Sequence, residues 1–86
     1  MNKKEKLVYE ITHQLFDGCC ALCGGSEIAM HHIRYGACGR RTYLGNVIPL
    51  CPRHHDLVHS SKRTYQPLLI DIVNEKLEEL DGEIQE

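Results

Sequence analysis

Residues 20–59 read CALCGGSEIAMHHIRYGACGRRTYLGNVIPLCPRHHDLVH, and this stretch holds four of the five cysteines and five of the six histidines in an 86-residue chain. Its ends are matched. Cys20 and Cys23 form a C-x2-C pair, Cys51 and His54 a C-x2-H pair, and 27 residues separate the two. Each short pair can wrap one side of a zinc ion on a tight turn, while the chain between them runs out and back as a hairpin. Closing such a site couples about 10–16 kcal/mol of metal binding to folding. Cys20 is preferred to its neighbour Cys19 on spacing, and Cys38, in a glycine-bearing segment, is taken as a spare thiol.

A chain of this length makes one domain, residues 1–86, and buries too little apolar surface to do without a staple. It has no Trp and one Phe. Disulfides are the competing staple. They fit poorly, because the N-terminus reads Met-Asn-Lys-Lys-Glu-Lys with no apolar signal segment behind it, so the expectation is a cytoplasmic chain with reduced thiols. No stretch approaches the length of a membrane span. The net charge of -2 is unevenly spread. Residues 28–66 carry Arg34, Arg40, Arg41, Arg53, Lys62 and Arg63 against Asp56 alone, a net of +5, whereas residues 67–86 sum to -6. A basic middle is the electrostatic footprint of phosphate binding, though solvated basic loops are common.

Outward from the cysteines, Leu7, Val8, Ile11, Leu15 and Phe16 recur at helical spacing and predict a helix over about 3–17, ended by Gly18. Residues 28–33 read as a short strand, 34–45 as a mobile loop with three glycines, and 46–50 as a second strand stopping near Pro49. Pro52 opens a helix to about Ser61. Pro67 opens a last one to about 81, with Leu69, Ile70, Val73, Leu77 and Leu80 as its apolar stripe and Gly82 as its stop. The fold class is α+β.

The histidines outside the zinc pairs are also patterned. His31 and His32 are adjacent on the first strand, where side chains alternate. His55 and His59 are four apart on a helix, which stacks their rings on one face. His31, His55 and His59 can therefore converge on a second ion, and a metal held by three neutral ligands keeps positions open for water and phosphate.

The order His31-His32-Ile33, then Asn46-Val47-Ile48-Pro49-Leu50-Cys51, then His54-His55 and His59, resembles the HNH or His-Me finger endonucleases in the variant with a zinc knuckle, over about residues 20–62. Small phage and prophage nucleases share this order. The steps from Asn46 to His55 and from His55 to His59 are similar to those of the nuclease colicins. The resemblance implies a ββα-metal core over about 18–62, with flanking helices, that hydrolyses DNA phosphodiester bonds with low sequence specificity. It implies His32 as general base, suited by an imidazole that titrates near neutrality, and Asn46 as the residue that fixes the backbone orienting it. His31 and His55 would hold the catalytic divalent ion, with His59 a third ligand or a phosphate contact. The ion would polarise the scissile phosphate, leaving 5′-phosphate and 3′-hydroxyl products. Many relatives carry Asp where this chain has His31, and Cys where it has His54. An all-imidazole site favours Mn, Ni or Zn over Mg.

Arg34, Arg40, Arg41, Arg53 and Lys62 lie beside the expected cleft as DNA-phosphate contacts, each weighed against an ordinary solvated charge. His13 reads as a surface residue, and the acidic last helix as a packed cap or partner surface, since phosphate repels it. A homodimer or a larger phage or prophage assembly is the expected setting for so small a DNA-binding surface. Two rival readings stand beside the nuclease. One is an inert zinc module for nucleic acid or protein, which gives no reason for His31, His32, Asn46, His55 and His59 to stand in this order. The other is a structural phage protein on a degenerate nuclease scaffold.

Overall fold

The computed structural model describes residues 2–36 and 39–85, with only the backbone for 35, 36, 39, 40 and 81–85. Cys38 lies outside the described residues. The chain runs α1 (Lys3–Leu15), β1 (Ala29–His32), β2 (Tyr35–Gly36), β3 (Gly39–Arg40), β4 (Val47–Leu50), α2 (Pro52–Ser60) and α3 (Lys62–Gln85). It is a small α+β fold: three helices around a two-stranded antiparallel sheet, with a second antiparallel pair of two-residue strands in the connection between β1 and β4. No helix among the described residues is long and apolar enough to cross a membrane.

α1 starts where the Asn2 side chain accepts a hydrogen bond from the Glu5 amide at 2.8 Å, satisfying one of the orphan donors of a helix N-terminus. It ends in left-handed turns at Asp17 and Gly18, and the Gly18 amide closes back on the His13 carbonyl at 2.8 Å. The buried face of α1 is not quite the stripe that its apolar residues trace. Val8, Thr12 and Phe16 are buried, whereas Leu7 is 55 % exposed. Thr12 can take a core position because its hydroxyl donates to the Val8 carbonyl one turn earlier, at 2.8 Å, so its burial strands no polar group.

β1 and β4 pair with Ala29 opposite Leu50, Met30 opposite Pro49, His31 opposite Ile48 and His32 opposite Val47. All four residues of β4 are buried, because helices cover both of its faces. Ile48 and Leu50 join Phe16, Ile33, Val58, Leu69 and Val73 in the main core. By alternation Val47 and Pro49 turn to the other face. Pro49 sits inside the strand, not at its end. It lacks only an amide hydrogen, which the edge of a two-stranded sheet can spare, and its carbonyl still accepts the Ala21 amide at 3.0 Å.

Two sequence expectations need correction. The segment 34–45 is not wholly loop, since β2 and β3 form a hairpin with Tyr35 opposite Arg40. The last helix neither begins at Pro67 nor stops at Gly82; both lie inside it. Pro67 removes one early intrahelical bond at an exposed surface, where water can take the carbonyl left over. The turn before it is held by tertiary contacts: Tyr65 packs against the core, and Gln66 donates to the Ile33 carbonyl at 2.9 Å.

Candidate metal centres and the histidine cleft

The turn at 20–25 is built so that two sulfurs face one way. The Cys20 amide donates to the Gly25 carbonyl at 2.8 Å and the Gly24 amide to the Cys20 carbonyl at 2.9 Å. Gly24 has φ +78, a left-handed conformation that a side chain would strain. The bond from the Ala21 amide to Pro49 fastens this turn to the end of β4, alongside the start of α2. There Cys51 occupies the N-cap position, and His54 follows one helical turn on.

Cys20, Cys23, Cys51 and His54 thus bring their ligand atoms within 4.8 Å of one another. Cys20 Sγ lies 3.7 Å from His54 Nδ1, Cys23 Sγ 3.7 Å from Cys51 Sγ, and Cys51 Sγ 3.2 Å from His54 Nδ1. The edges of a tetrahedron around zinc, with metal–sulfur and metal–nitrogen bonds of about 2.3 and 2.0–2.1 Å, are about 3.8 Å between two sulfurs and about 3.5–3.6 Å between sulfur and nitrogen. The four residues fit a zinc-sized ion. A disulfide would need two sulfurs at about 2.05 Å, well inside the observed separation. Cys19 turns aside, its thiol donating to the Asp17 carbonyl at 3.3 Å.

The electrostatics suit a bound cation. Burial acts to raise the Cys20 pKa, but the backbone amides of Cys51, Leu22 and Cys23 outweigh it, and the thiol drops to about 6. Near neutral pH it is therefore a thiolate, the form that ligates metal. Cys23 moves the other way. The Gly25 amide pulls its pKa down, yet desolvation and the neighbouring sulfurs of Cys20 and Cys51 together lift it. Crowded thiols of this kind resist ionising together until a cation joins them.

A second cluster lies one face of α2 away. His31, His55 and His59 also place ligand atoms within 4.8 Å of one another. Their ring centroids are 5.2 Å (His31–His55), 5.3 Å (His31–His59) and 4.5 Å (His55–His59) apart, all near edge-on. The register explains the meeting: His31 opposes Ile48, so it shares the sheet face that α2 covers. His31 is 3 % exposed, and its desolvation, reinforced by the charges of His55 and His59, lowers its pKa to about 4. Desolvation and His59 lower His55 too, against a smaller opposing pull from Asp56. Both are neutral imidazoles near neutral pH, as ligation requires. Three nitrogen donors without a carboxylate suit a transition metal, and three protein ligands leave part of its coordination sphere open.

His32, the next residue, opposes Val47 and turns to the other side of the strand. Its Nε2 lies 2.9 Å from Thr42 Oγ1 and 3.5 Å from the Tyr9 hydroxyl, and the Tyr9 ring stands edge-on to it at 6.2 Å. It stays close enough to His31 for its charge to act on that ring.

Asn46, 1 % exposed, uses all four of its hydrogen-bonding groups. Its carbonyl accepts the Ile33 amide at 2.8 Å, its Oδ1 the Arg34 amide at 2.9 Å; its Nδ2 donates to the Arg41 carbonyl at 2.7 Å, its amide to the Tyr43 carbonyl at 3.0 Å. One residue thereby joins the chain just after His32 to the loop that carries Thr42.

Among the basic residues, Arg34, Arg41, Arg53 and Lys62 are exposed, and the Arg40 side chain lies outside the described residues. Lys62 stands near enough to His31 to contribute to its lowered pKa. Arg53 is beside the zinc-sized site, bordering a hollow with Cys23, Glu27 and Cys51. Thr42 and Tyr9 were not legible as site residues, since neither carries a motif and both reach His32 only through tertiary packing. No family model, curated protein or solved structure matches the chain.

Proposed function

We propose that this protein is a zinc-stapled, metal-dependent DNA endonuclease with a ββα-metal core of the HNH type, built from β1, β4 and α2. The observation that carries the reading is the convergence of His31, His55 and His59 on one point, with a separate Cys3His cluster beside them and His32 next along the strand on its other face. A single structural zinc accounts for Cys20, Cys23, Cys51 and His54 and gives no reason for the second cluster.

In this reading His31, His55 and His59 hold a divalent ion, which when bound would polarise the scissile phosphate and stabilise the leaving 3′ oxygen. His32 takes the proton from the attacking water. Asn46 keeps the backbone after His32 fixed against the neighbouring loop. Arg34, Arg40, Arg41, Arg53 and Lys62 supply positive charge for the DNA backbone, a contact that positions the duplex without reading its sequence. A second copy of the chain, or a larger phage or prophage assembly, extends the DNA-binding surface.

The test is a metal count coupled to plasmid nicking in Mg, Mn, Ni and Zn buffers. The expected result is one zinc held through purification, a second ion recruited on addition, and nicking that His32→Ala abolishes while both metals and the fold remain. One zinc, no second ion and no nicking in any buffer would leave an inert zinc-binding module. Nicking by His32→Ala at the wild-type rate would remove His32 from the role of base.

A further inference from the structure

The Cys3His cluster is uncovered on one side. Cys20 is 4 % exposed and Cys51 and His54 are half-buried, but Cys23 stands exposed in its glycine turn. We propose that Cys23 is an oxidation site for hydroperoxides, and that it closes a disulfide with Cys51 that withdraws both sulfurs from the metal. The inference rests on the zinc part of the reading above and is independent of the nuclease chemistry.

Three observations select this pair. Cys23 Sγ lies 3.7 Å from Cys51 Sγ, so reaching the about 2.05 Å of a disulfide asks for less than about 2 Å of movement. Both residues border the same open hollow, together with Arg53, and Gly25 lies against both without a side chain to cover them. Cys20 is anchored instead, since the backbone amides of Cys51, Leu22 and Cys23 donate to its sulfur. With hydrogen peroxide, the Cys23 thiolate attacks one oxygen: an S–O bond forms, the O–O bond breaks, and hydroxide leaves. The Cys51 thiolate then attacks the Cys23 sulfur, forming the S–S bond as the S–O bond breaks and a second hydroxide leaves. The two thiolates together lose two electrons, and the peroxide gains them. One sulfur and one imidazole remain, fewer than the four ligands of a structural zinc site. Cys51 and His54 begin the helix that also carries His55 and His59, so the ion anchors the element on which two of the three cleft histidines stand.

The experiment treats the zinc-loaded full chain with stoichiometric hydrogen peroxide, both as wild type and with Cys19→Ser and Cys38→Ser together, which removes the spare thiols. A chromogenic chelator reads zinc release, a sulfenic-acid trap reads the thiol attacked first, and peptide mapping by mass spectrometry reads the disulfide. Both proteins should trap at Cys23, pair Cys23 with Cys51 and release one zinc per disulfide, and a dithiol reductant with added zinc should reverse the change. Cys23→His keeps four ligands and removes the exposed sulfur, so its zinc should leave at least about tenfold more slowly. Zinc retained by the wild type, trapping first at Cys20 or Cys51, or a disulfide joining Cys20 to Cys23 would overturn the proposal, as would zinc release from Cys23→His at the wild-type rate. Should Cys23→His fail to bind zinc, the wild-type trap and map decide. A chain purified without zinc would remove the zinc reading, and the pairing of Cys23 with Cys51 would still stand or fall on the map.

Discussion

Replacing Asn46 should destabilise the fold in a manner set by which of its two side-chain bonds is lost. Asn46→Ala deletes the bond from the Arg34 amide to Oδ1 and the bond from Nδ2 to the Arg41 carbonyl, while its backbone bonds to Ile33 and Tyr43 persist. At about 1–1.5 kcal/mol for each bond, the cost is about 2–3 kcal/mol. For a domain of this size that lowers Tm by roughly 10–20 °C. Asn46→Asp is nearly isosteric, but it places a carboxylate oxygen where Nδ2 stood, 2.7 Å from the Arg41 carbonyl. Two acceptors then face each other in a buried site, so near neutral pH the Asn46→Asp variant should be less stable than Asn46→Ala. Protonation turns that oxygen back into a donor, which raises the folded-state pKa of the introduced carboxyl above the ordinary aspartate value of about 3.9. The sign follows: the bond is present below about pH 4 and is lost as pH rises through the raised folded pKa. Thermal unfolding at fixed free zinc, with each variant read as its difference from wild type at the same pH, measures this. An Asn46→Ala variant melting within about 3 °C of wild type, or an Asn46→Asp difference that does not change with pH, would refute the accounting of these bonds.

Other outcomes follow from the same geometry. Cys51→Ser, or a strong chelator, should abolish the far-ultraviolet helical signal at ordinary temperatures, because a zinc ion held by the Cys3His cluster would couple about 10–16 kcal/mol of binding to folding; retention of that signal would show a core that stands without metal. Leu69→Ala should cost about 2–5 kcal/mol and its exposed neighbour Leu68→Ala less than about 1 kcal/mol, a contrast in urea unfolding that tests the rotational phase of α3. His31, neutral in the fold down to about pH 4, leaves the unfolded chain holding the extra proton between there and pH 6.5. Stability without a second ion should therefore fall by about 2 kcal/mol from pH 7 to pH 5, and His31→Leu should lack that component of the slope.

The zinc-sized cluster was legible in the sequence because its geometry is mostly local. Cys20 and Cys23 sit on one glycine turn, Cys51 and His54 one helical turn apart, and a short spacing fixes where such side chains point whatever surrounds them. His55 and His59 follow the same logic, and His31 joins them through a period-two strand. Reading the helices was less complete. The apolar stripe of α1 leaves out Thr12, which is buried because its hydroxyl is satisfied within the helix, and Pro67 and Gly82 counted as boundaries although packing of Tyr65 and Gln66 outweighs the single bond that Pro67 removes.

What His32 touches was decided by tertiary structure alone. Tyr9 is 23 residues before it and Thr42 ten after, on an unrelated helix and on a loop. No local periodicity constrains either distance; they are set by how α1 lies on the sheet and by the four bonds of Asn46. Short-range spacing can state which residues share a face because backbone geometry repeats. Which residue from elsewhere meets that face depends on the packing of the whole chain, and that information is distributed over every buried contact.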